Sequence, residues 1–509
     1  MWLKGISLFV LGASLTFAFA PFNAWWMPFI VLPIWFFVQA TLTEHSFKTA
    51  WLFSFGYFAA GISWIHVSIA DHGGLPLIAS IGMMAILCAY LALFPSIAIW
   101  LTNRYFAKQY WPFSLPLFWL ALEFARAHFM TGFPWLSIGY SQLNGPLGGW
   151  LPIIGEIGVS AVLILITVNL GLTLKLIQEQ LSWRINGLQS VSVGVIFCVS
   201  GLVLNLISWT QPSGEIKRVT MVQGNIEQTI RWLPEQDSPT MQKYWNLTSG
   251  HWDSDLIIWP EAAIPKLEIA ATDYLELLDE KATQTDTALI TGIVDVNYST
   301  QKIYNNLVSL GNDELGQNSI PYTYGHKNRF AKHHLLPIGE FVPFESILRK
   351  LAPIFDLPMS SFTRGDYVQA NLVANGMKLA PAICFEIAFP NQIRANLNDN
   401  TDAIITVSND AWFGDSHGPH QHLEIAQIRA KEFGLPVLRS TNTGVTAFVD
   451  HRGIISAIAP QFEDTVLTQD VRLVNGKTPY RELGNWPSYL FFFVLFIIGA
   501  LLQRKVKIK

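Results

Sequence analysis

The placement of long apolar runs constrains this chain most. Seven of them, at roughly 5–20, 24–40, 50–70, 75–101, 111–127, 152–176 and 186–209, precede residue 210, and one more lies at 485–502. Each approaches the ~20 residues that a helix needs to cross a bilayer core. The stretch between, 215–480, carries most of the charge and reads as a soluble domain. The expected layout is a seven-span transmembrane domain over 1–210, a soluble domain over 215–480, an eighth transmembrane helix over 485–502 and a basic tail over 503–509. Composition agrees, with 51% apolar and only 14% charged residues. The net charge of −4 and the lack of a basic block give no sign of a nucleic-acid partner.

The first run needs a check, because Lys4, an apolar stretch and Ala18-Phe19-Ala20 resemble a cleavable secretory signal. Pro21 would follow the cut, which disfavours cleavage, so the segment is read as a retained span. Basic residues then set the orientation. With a cytoplasmic N-terminus, the inside loops hold Lys48, Arg104, Lys108, Lys175 and Arg184, and the tail holds Arg504, Lys505, Lys507 and Lys509. The outside loops at 66–76 and 128–151 hold no Lys or Arg. This arrangement puts 215–480 outside the cytoplasm and both termini inside. Glu123 and Arg126, at i and i+3 near the outer end of the fifth span, read first as a structural ion pair and second as a lipid-headgroup contact.

Location sharpens the reading of the cysteines. Cys88 and Cys198 fall within spans, where a free Cys behaves as a small apolar residue. Cys384 is the lone cysteine of the soluble region, so it is either a buried inert side chain or a functional thiol.

Within 215–480, short β-branched runs alternate with longer mixed segments. Strands are expected at Val219–Val222, Leu256–Trp259, Ala288–Val294, Asn306–Leu310, Leu379–Ile383, Ala403–Val407, Val437–Ser440 and Ala447–Asp450. A helix is expected over His422–Phe433, ending at Gly434, and a hairpin turn at Asp450–Gly453. Strands alternating with helices argue for a layered α/β domain.

Three strand ends carry reactive side chains. Glu261 follows D-L-I-I-W-P, Lys332 and Glu340 lie in F-A-K-H-H-L-L-P-I-G-E, and Cys384 ends L-A-P-A-I-C. Carboxylate, ammonium and thiol suffice for acyl transfer. The carboxylate takes the thiol proton, the thiolate attacks a carbonyl, and the ammonium with the backbone N–H of Phe385 stabilises the oxyanion. A nearby cation also favours the thiolate. Two rival motifs are weaker. Gly414–Gly418 matches G-x-S-x-G around Ser416, but that motif needs a serine directly after a strand. His417, His420, His422 and Glu424 lack the spacing of a recognised zinc motif.

W-P-E, K-x-x-L-x-P-x-G-E and C-x-E in this order resemble the nitrilase superfamily. Such a domain between seven spans and an eighth resembles the apolipoprotein N-acyltransferase family. V-Q-G-N-I at 222–226, Arg231-Trp232, the apolar run 351–362, S-N-D-A-W-F-G-D at 408–415, H-Q-H-L-E-I-A at 420–426 and F-P-W-L-S-I-G-Y-S-Q at 133–142 strengthen the likeness. The resemblance implies an αββα sandwich joined to a polytopic helical membrane domain. It implies Glu261 as general base, Lys332 as oxyanion-stabilising lysine and Cys384 as nucleophile. Glu340, Phe385 and Glu386 are implied as supporting residues and Trp232 as a substrate-side residue, with no metal and no cofactor. It further implies a phospholipid acyl donor, a diacylglyceryl apolipoprotein acceptor and a bacterial inner-membrane monomer whose catalytic domain lies in the periplasm. A membrane-anchored nitrilase-type hydrolase is the alternative. Phe385 and Phe330 stand where the resemblance leads one to expect tyrosine.

Overall fold

The computed structural model describes residues 2–42, 45–179, 183–313, 321–337, 339–341 and 361–508. The chain divides into two compact units, 1–209 with 477–509, and 210–476.

The first unit is helical. Every apolar run found in the sequence lies on helix: Trp2–Ala13 with a tight turn over Ser14–Ala18, Pro28–Thr41, Ser46–Gly61, Leu77–Leu91 with Leu93–Tyr105, Trp111–His128, Leu151–Gln178, Trp183–Leu204 and Trp486–Ile508. Length and apolarity suffice to cross a membrane in four stretches among the described residues, Leu77–Tyr105, Gly148–Gln178, Gly187–Leu204 and Trp486–Lys505. A fifth would be the pair Ser46–Gly61 and Ile65–His72, bent by 63°. Leu3–Ala18 and Pro28–Thr41 are apolar but shorter. Gly148–Gln178 is the unit's central helix, 89% buried over its most apolar window, against 17% for Gly187–Leu204 and Trp486–Lys505.

Small residues let the helices approach closely. A Cβ on Gly12 would sit 1.9 Å from the Phe53 carbonyl oxygen, and one on Gly56 would sit 2.1 Å from that of Phe9. The two glycines thus fasten Trp2–Ala13 to Ser46–Gly61. The ring of Trp35 stacks on Phe53 at 4.1 Å. Glu123 and Arg126 pair at 3.8 Å. Arg126 also donates to the carbonyls of Phe133 and Trp135 at 2.7 and 2.6 Å and lies over the Phe58 ring. These partners fit the structural reading of the pair.

The second unit holds two six-stranded sheets. The first contains β1 (Thr210–Gln223), β2 (Leu256–Ile258), β3 (Ala288–Asn297), β4 (Lys302–Gly311), β5 (Arg329–Ala331) and β12 (Thr465–Gly476), in the order β12-β1-β2-β3-β4-β5. The second contains β6 (Leu372–Ala374), β7 (Met377–Ile383), β8 (Ala403–Ser408), β9 (Val437–Thr441), β10 (Ala447–Val449) and β11 (Ile455–Ile458), in the order β11-β10-β9-β8-β7-β6. β1 pairs with the parallel β2 on one side and the antiparallel β12 on the other, so the unit's first and last strands close it together.

The period-2 alternation of strands explains the layers. Val219, Met221, Leu256, Ile258, Ala288 and Ile290 face a core shared with Leu379, Ile383, Ile405 and Leu438 of the second sheet. The intervening Val222, Ile257 and Leu289 face Tyr244, Leu275, Leu278 and Ala282 of helices Pro234–Thr248 and Thr272–Gln284. Helices Pro390–Asn396 and Gly418–Phe433 pack on the second sheet, completing an αββα sandwich. Gly418–Phe433 ends at Gly434, which takes the left-handed conformation at φ 64°. It begins four residues before the expected start at His422. Asp450 closes the expected hairpin by accepting from the N–H groups of Arg452 and Ile454, both at 2.9 Å. All eight anticipated strands are present, while β5, β6, β11 and β12 were not anticipated.

Candidate active site

Three strand ends converge on one cluster. β2 runs into Trp259-Pro260-Glu261, and this turn lies directly over β3. A Cβ on Gly292 of β3 would stand 2.3 Å from the Ala262 nitrogen, so only glycine permits the approach. Lys332 follows β5, and its N–H donates to the Asn305 carbonyl of β4 at 2.8 Å. Cys384 follows β7 and has φ 53°. A left-handed residue with a side chain costs roughly 1–2 kcal/mol. It breaks the strand sharply into the tight turn Cys384–Ala388.

The Lys332 ammonium sits between two carboxylates, 2.7 Å from Glu340 Oε1 and 3.4 Å from Glu261 Oε1. Asn305 Nδ2 donates to the same two oxygens at 3.3 and 2.8 Å. The second oxygens are held by backbone: Asn409 N–H to Glu261 at 3.1 Å and Leu336 N–H to Glu340 at 2.8 Å. Burial works against the charge on Lys332, but Glu261 and Glu340 outweigh it and hold its pKa above the ordinary value. The ammonium is therefore permanent near neutrality.

The thiol behaves differently. Cys384 is only half-buried, yet its surroundings push its pKa up to about 12, through burial first and the Glu261 charge second. The Lys332 charge pulls the other way and loses. The sequence-based expectation of a lysine-favoured thiolate needs this refinement. The resting group is a neutral thiol, and a base must take its proton.

Glu386 braces the cysteine turn. Its carboxylate accepts from the N–H groups of His333, His334 and Ile383 at 2.9, 3.0 and 2.8 Å and from Gln392 Nε2 at 2.6 Å. It therefore ties the segment after Lys332 to the residue before Cys384. Burial raises its pKa against these donors. Glu340 touches the lysine, whereas Glu386 holds backbone.

Trp232 and Leu233 are exposed at 38% and 47% beside the buried Arg231. The Arg231 guanidinium donates to the carbonyl oxygens of Glu261 and Ala262, tying this loop to the Glu261 turn. Phe330 is fully buried in the inter-sheet core. Phe385 packs on Phe389 at 5.0 Å and His334 at 6.0 Å, an apolar setting for the ring. Ser416 accepts from the Gly418 N–H at 3.1 Å at the start of a helix and does not end a strand. His422 reaches the back of Cys384 instead of a metal cluster, and among the described residues no group of three or more His, Cys, Asp or Glu could hold a metal. The apolar run 351–362 lies outside the described residues except for Ser361 and Phe362. Sequence reasoning missed Asn305, Asn409, Asp410 and Arg439. Asn409 and Asp410 lie in the quoted 408–415 motif, which was the available signal.

A thiol, a carboxylate base, a fixed ammonium and a backbone N–H after the cysteine can together perform covalent acyl transfer. The sheet pair and this cluster define a carbon–nitrogen hydrolase domain, and the carbon-nitrogen hydrolase family pattern matches residues 218–478. The apolipoprotein N-acyltransferase N-terminal domain matches residues 11–169. Apolipoprotein N-acyltransferase of Shewanella oneidensis is 44% identical over 511 residues, covering 99% of this chain and 96% of the relative. That of Vibrio parahaemolyticus is 43% identical over 503 residues, covering 97% and 96%. That of Haemophilus influenzae is 39% identical over 508 residues, covering 97% and 94%. The chain belongs to the apolipoprotein N-acyltransferase family.

Proposed function

We propose that the chain transfers an acyl group from a phospholipid to the α-amino group of the N-terminal diacylglyceryl-cysteine of apolipoproteins. Glu261 takes the Cys384 proton as sulfur attacks the ester carbonyl, and Lys332 with the Phe385 N–H stabilises the oxyanion. The tetrahedral intermediate collapses, the lysophospholipid alkoxide leaves with the proton from Glu261, and a thioester stays on Cys384. The lipoprotein amine then attacks the thioester, Glu261 removes its proton, and the Cys384 thiolate departs to recover it. Glu340 and Glu386 position Lys332 and the cysteine turn, and no cofactor enters the scheme.

One observation carries this reading. A buried lysine beside the first sheet is clamped between the Glu261 and Glu340 carboxylates, and its charge is felt by a thiol that ends a strand of the second. The relatives' names supply the substrate class. Exposed Trp232 and Leu233, tethered to the Glu261 turn, suit contact with a lipid surface. With eight spans, 1–210 and 485–502 lie in the inner membrane, 215–480 in the periplasm and both termini, including 503–509, in the cytoplasm. The chain acts as a monomer.

The test is product identity. Full-length protein in vesicles of labelled phospholipid with a diacylglyceryl-cysteinyl peptide should yield N-acyl peptide and lysophospholipid. Free fatty acid with unmodified peptide would instead establish a hydrolase.

A further inference from the structure

A buried histidine behind the cysteine has no part in the scheme above. His422 lies on helix Gly418–Phe433, and its Nε2 is 3.1 Å from the Cys384 carbonyl oxygen. A carbonyl only accepts, so Nε2 carries a proton. Nδ1 lies 3.1 Å from both Arg439 Nη2, which only donates, and Asp410 Oδ1, which only accepts. The donor to the Cys384 carbonyl is Nε2–H whichever partner Nδ1 takes. Burial first, and the Arg439 charge second, push the His422 pKa down. Asp410 fixes the assembly. It accepts from Arg439 at 2.6 Å through Oδ2 and from Ser408 at 2.6 Å through Oδ1, which lies 3.1 Å from Nδ1.

The carbonyl that His422 grips belongs to the peptide joining Cys384 to Phe385. Its N–H is the Phe385 oxyanion donor of the proposed reaction, on which this inference rests. Donation to an amide oxygen draws electron density from the amide nitrogen and strengthens its N–H as a donor. The same bond holds a peptide plane next to a residue at φ 53°, a conformation that persists only where surroundings enforce it. We propose that His422 is a positioning residue that orients and polarises the Cys384–Phe385 peptide as an oxyanion donor, with Asp410 and Arg439 holding the imidazole in place.

The test uses the full chain in vesicles of labelled phosphatidylethanolamine and phosphatidylglycerol, comparing wild type, His422→Leu and His422→Gln. Thioester formation on Cys384 in a single turnover needs the oxyanion donor, whereas alkylation of Cys384 by iodoacetamide does not. His422→Leu should slow thioester formation by about ten- to a hundredfold, less than the loss of a whole oxyanion donor. Alkylation should change by no more than about threefold, because the thiol itself is untouched. His422→Gln, whose amide keeps a donor at similar reach, should recover most of the rate. Unchanged thioester formation in His422→Leu would overturn the proposal, as would equal loss of both reactions or a Gln variant no better than Leu. Turnover by wild type without acyl on Cys384 would overturn the acyl-transfer reading itself, and this proposal with it.

Discussion

Two buried charged clusters meet at Cys384, and they differ in how far they are sealed. In the first, Lys332 is as buried as Asp410 of the second, but Glu261 keeps 8% of its surface exposed, the Glu340 side chain 13%, and Cys384 is half-buried. In the second, Asp410, His422 and Arg439 are exposed by 1% or less, and Arg439 Nε donates to the Val445 carbonyl at 3.1 Å. Burial pulls the Asp410 pKa upward, but Arg439 and His422 outweigh it and hold the carboxyl below its usual range. An open cluster can meet a substrate, while a sealed one acts only through the protein. The first is therefore assigned to chemistry and the second to holding the cysteine backbone.

Breaking the open cluster should cost activity and spare the fold. Cys384→Ala should lower N-acyl peptide formation by about 10⁴-fold or more, since removal of a nucleophile leaves only binding. Circular dichroism and thermal melting in detergent should match wild type. Glu261→Gln keeps the size and one acceptor but loses the base, and should slow single-turnover thioester formation by roughly 10²–10⁴-fold. Rapid-quench assays with labelled phospholipid would read this.

The sealed cluster should respond in the opposite way. Arg439→Met leaves the Asp410 carboxylate buried without its main partner, a loss worth about 3–5 kcal/mol of stability. Denaturant titration should show it, with a smaller change in activity per folded molecule. A variant that melts like wild type would erase the distinction between the clusters. Gly292→Ala tests geometry alone. Its new methyl would displace the Glu261 turn, and misplacement of about 1 Å can cost about 10²-fold in rate. Steady-state turnover should fall by up to that factor while phospholipid binding persists.

The smallest effect concerns pH. With a thiol pKa pushed up to about 12, alkylation of Cys384 by iodoacetamide should still climb at pH 10, where an ordinary thiol of pKa 9.0 has levelled off. The unfolded chain ionises this thiol first. Its contribution to stability is therefore full below pH 9 and is lost as pH rises toward 12. A plateau in alkylation below pH 9 would show a resting thiolate and sharpen the role of Lys332.

The open cluster was legible in the sequence because Glu261 and Cys384 end apolar strands, while Lys332 and Glu340 are marked by the P-I-G-E motif. The sealed cluster was not, because its parts join over long separations: His422 is 38 positions from Cys384 and Arg439 is 29 from Asp410. Asn305 was hidden inside a strand, 44 positions from the Glu261 it supports. Strands β5 and β6 have three residues each, too few to show a period, and β12 is largely polar. In the helical unit, hydropathy located the long apolar helices but not the short Pro479–Leu483 helix or the 63° bend within the third run, which depends on local backbone.

Acyl transfer by this mechanism requires that Cys384 carry the acyl group. Full-length protein would be mixed with phospholipid labelled in its acyl chain, without acceptor peptide, and the digest read by mass spectrometry. An acyl mass should appear on the Cys384 peptide, released by hydroxylamine at neutral pH and absent from Cys384→Ala. Label on another residue, or an acceptor acylated at full rate by protein that never carries label on Cys384, would contradict it.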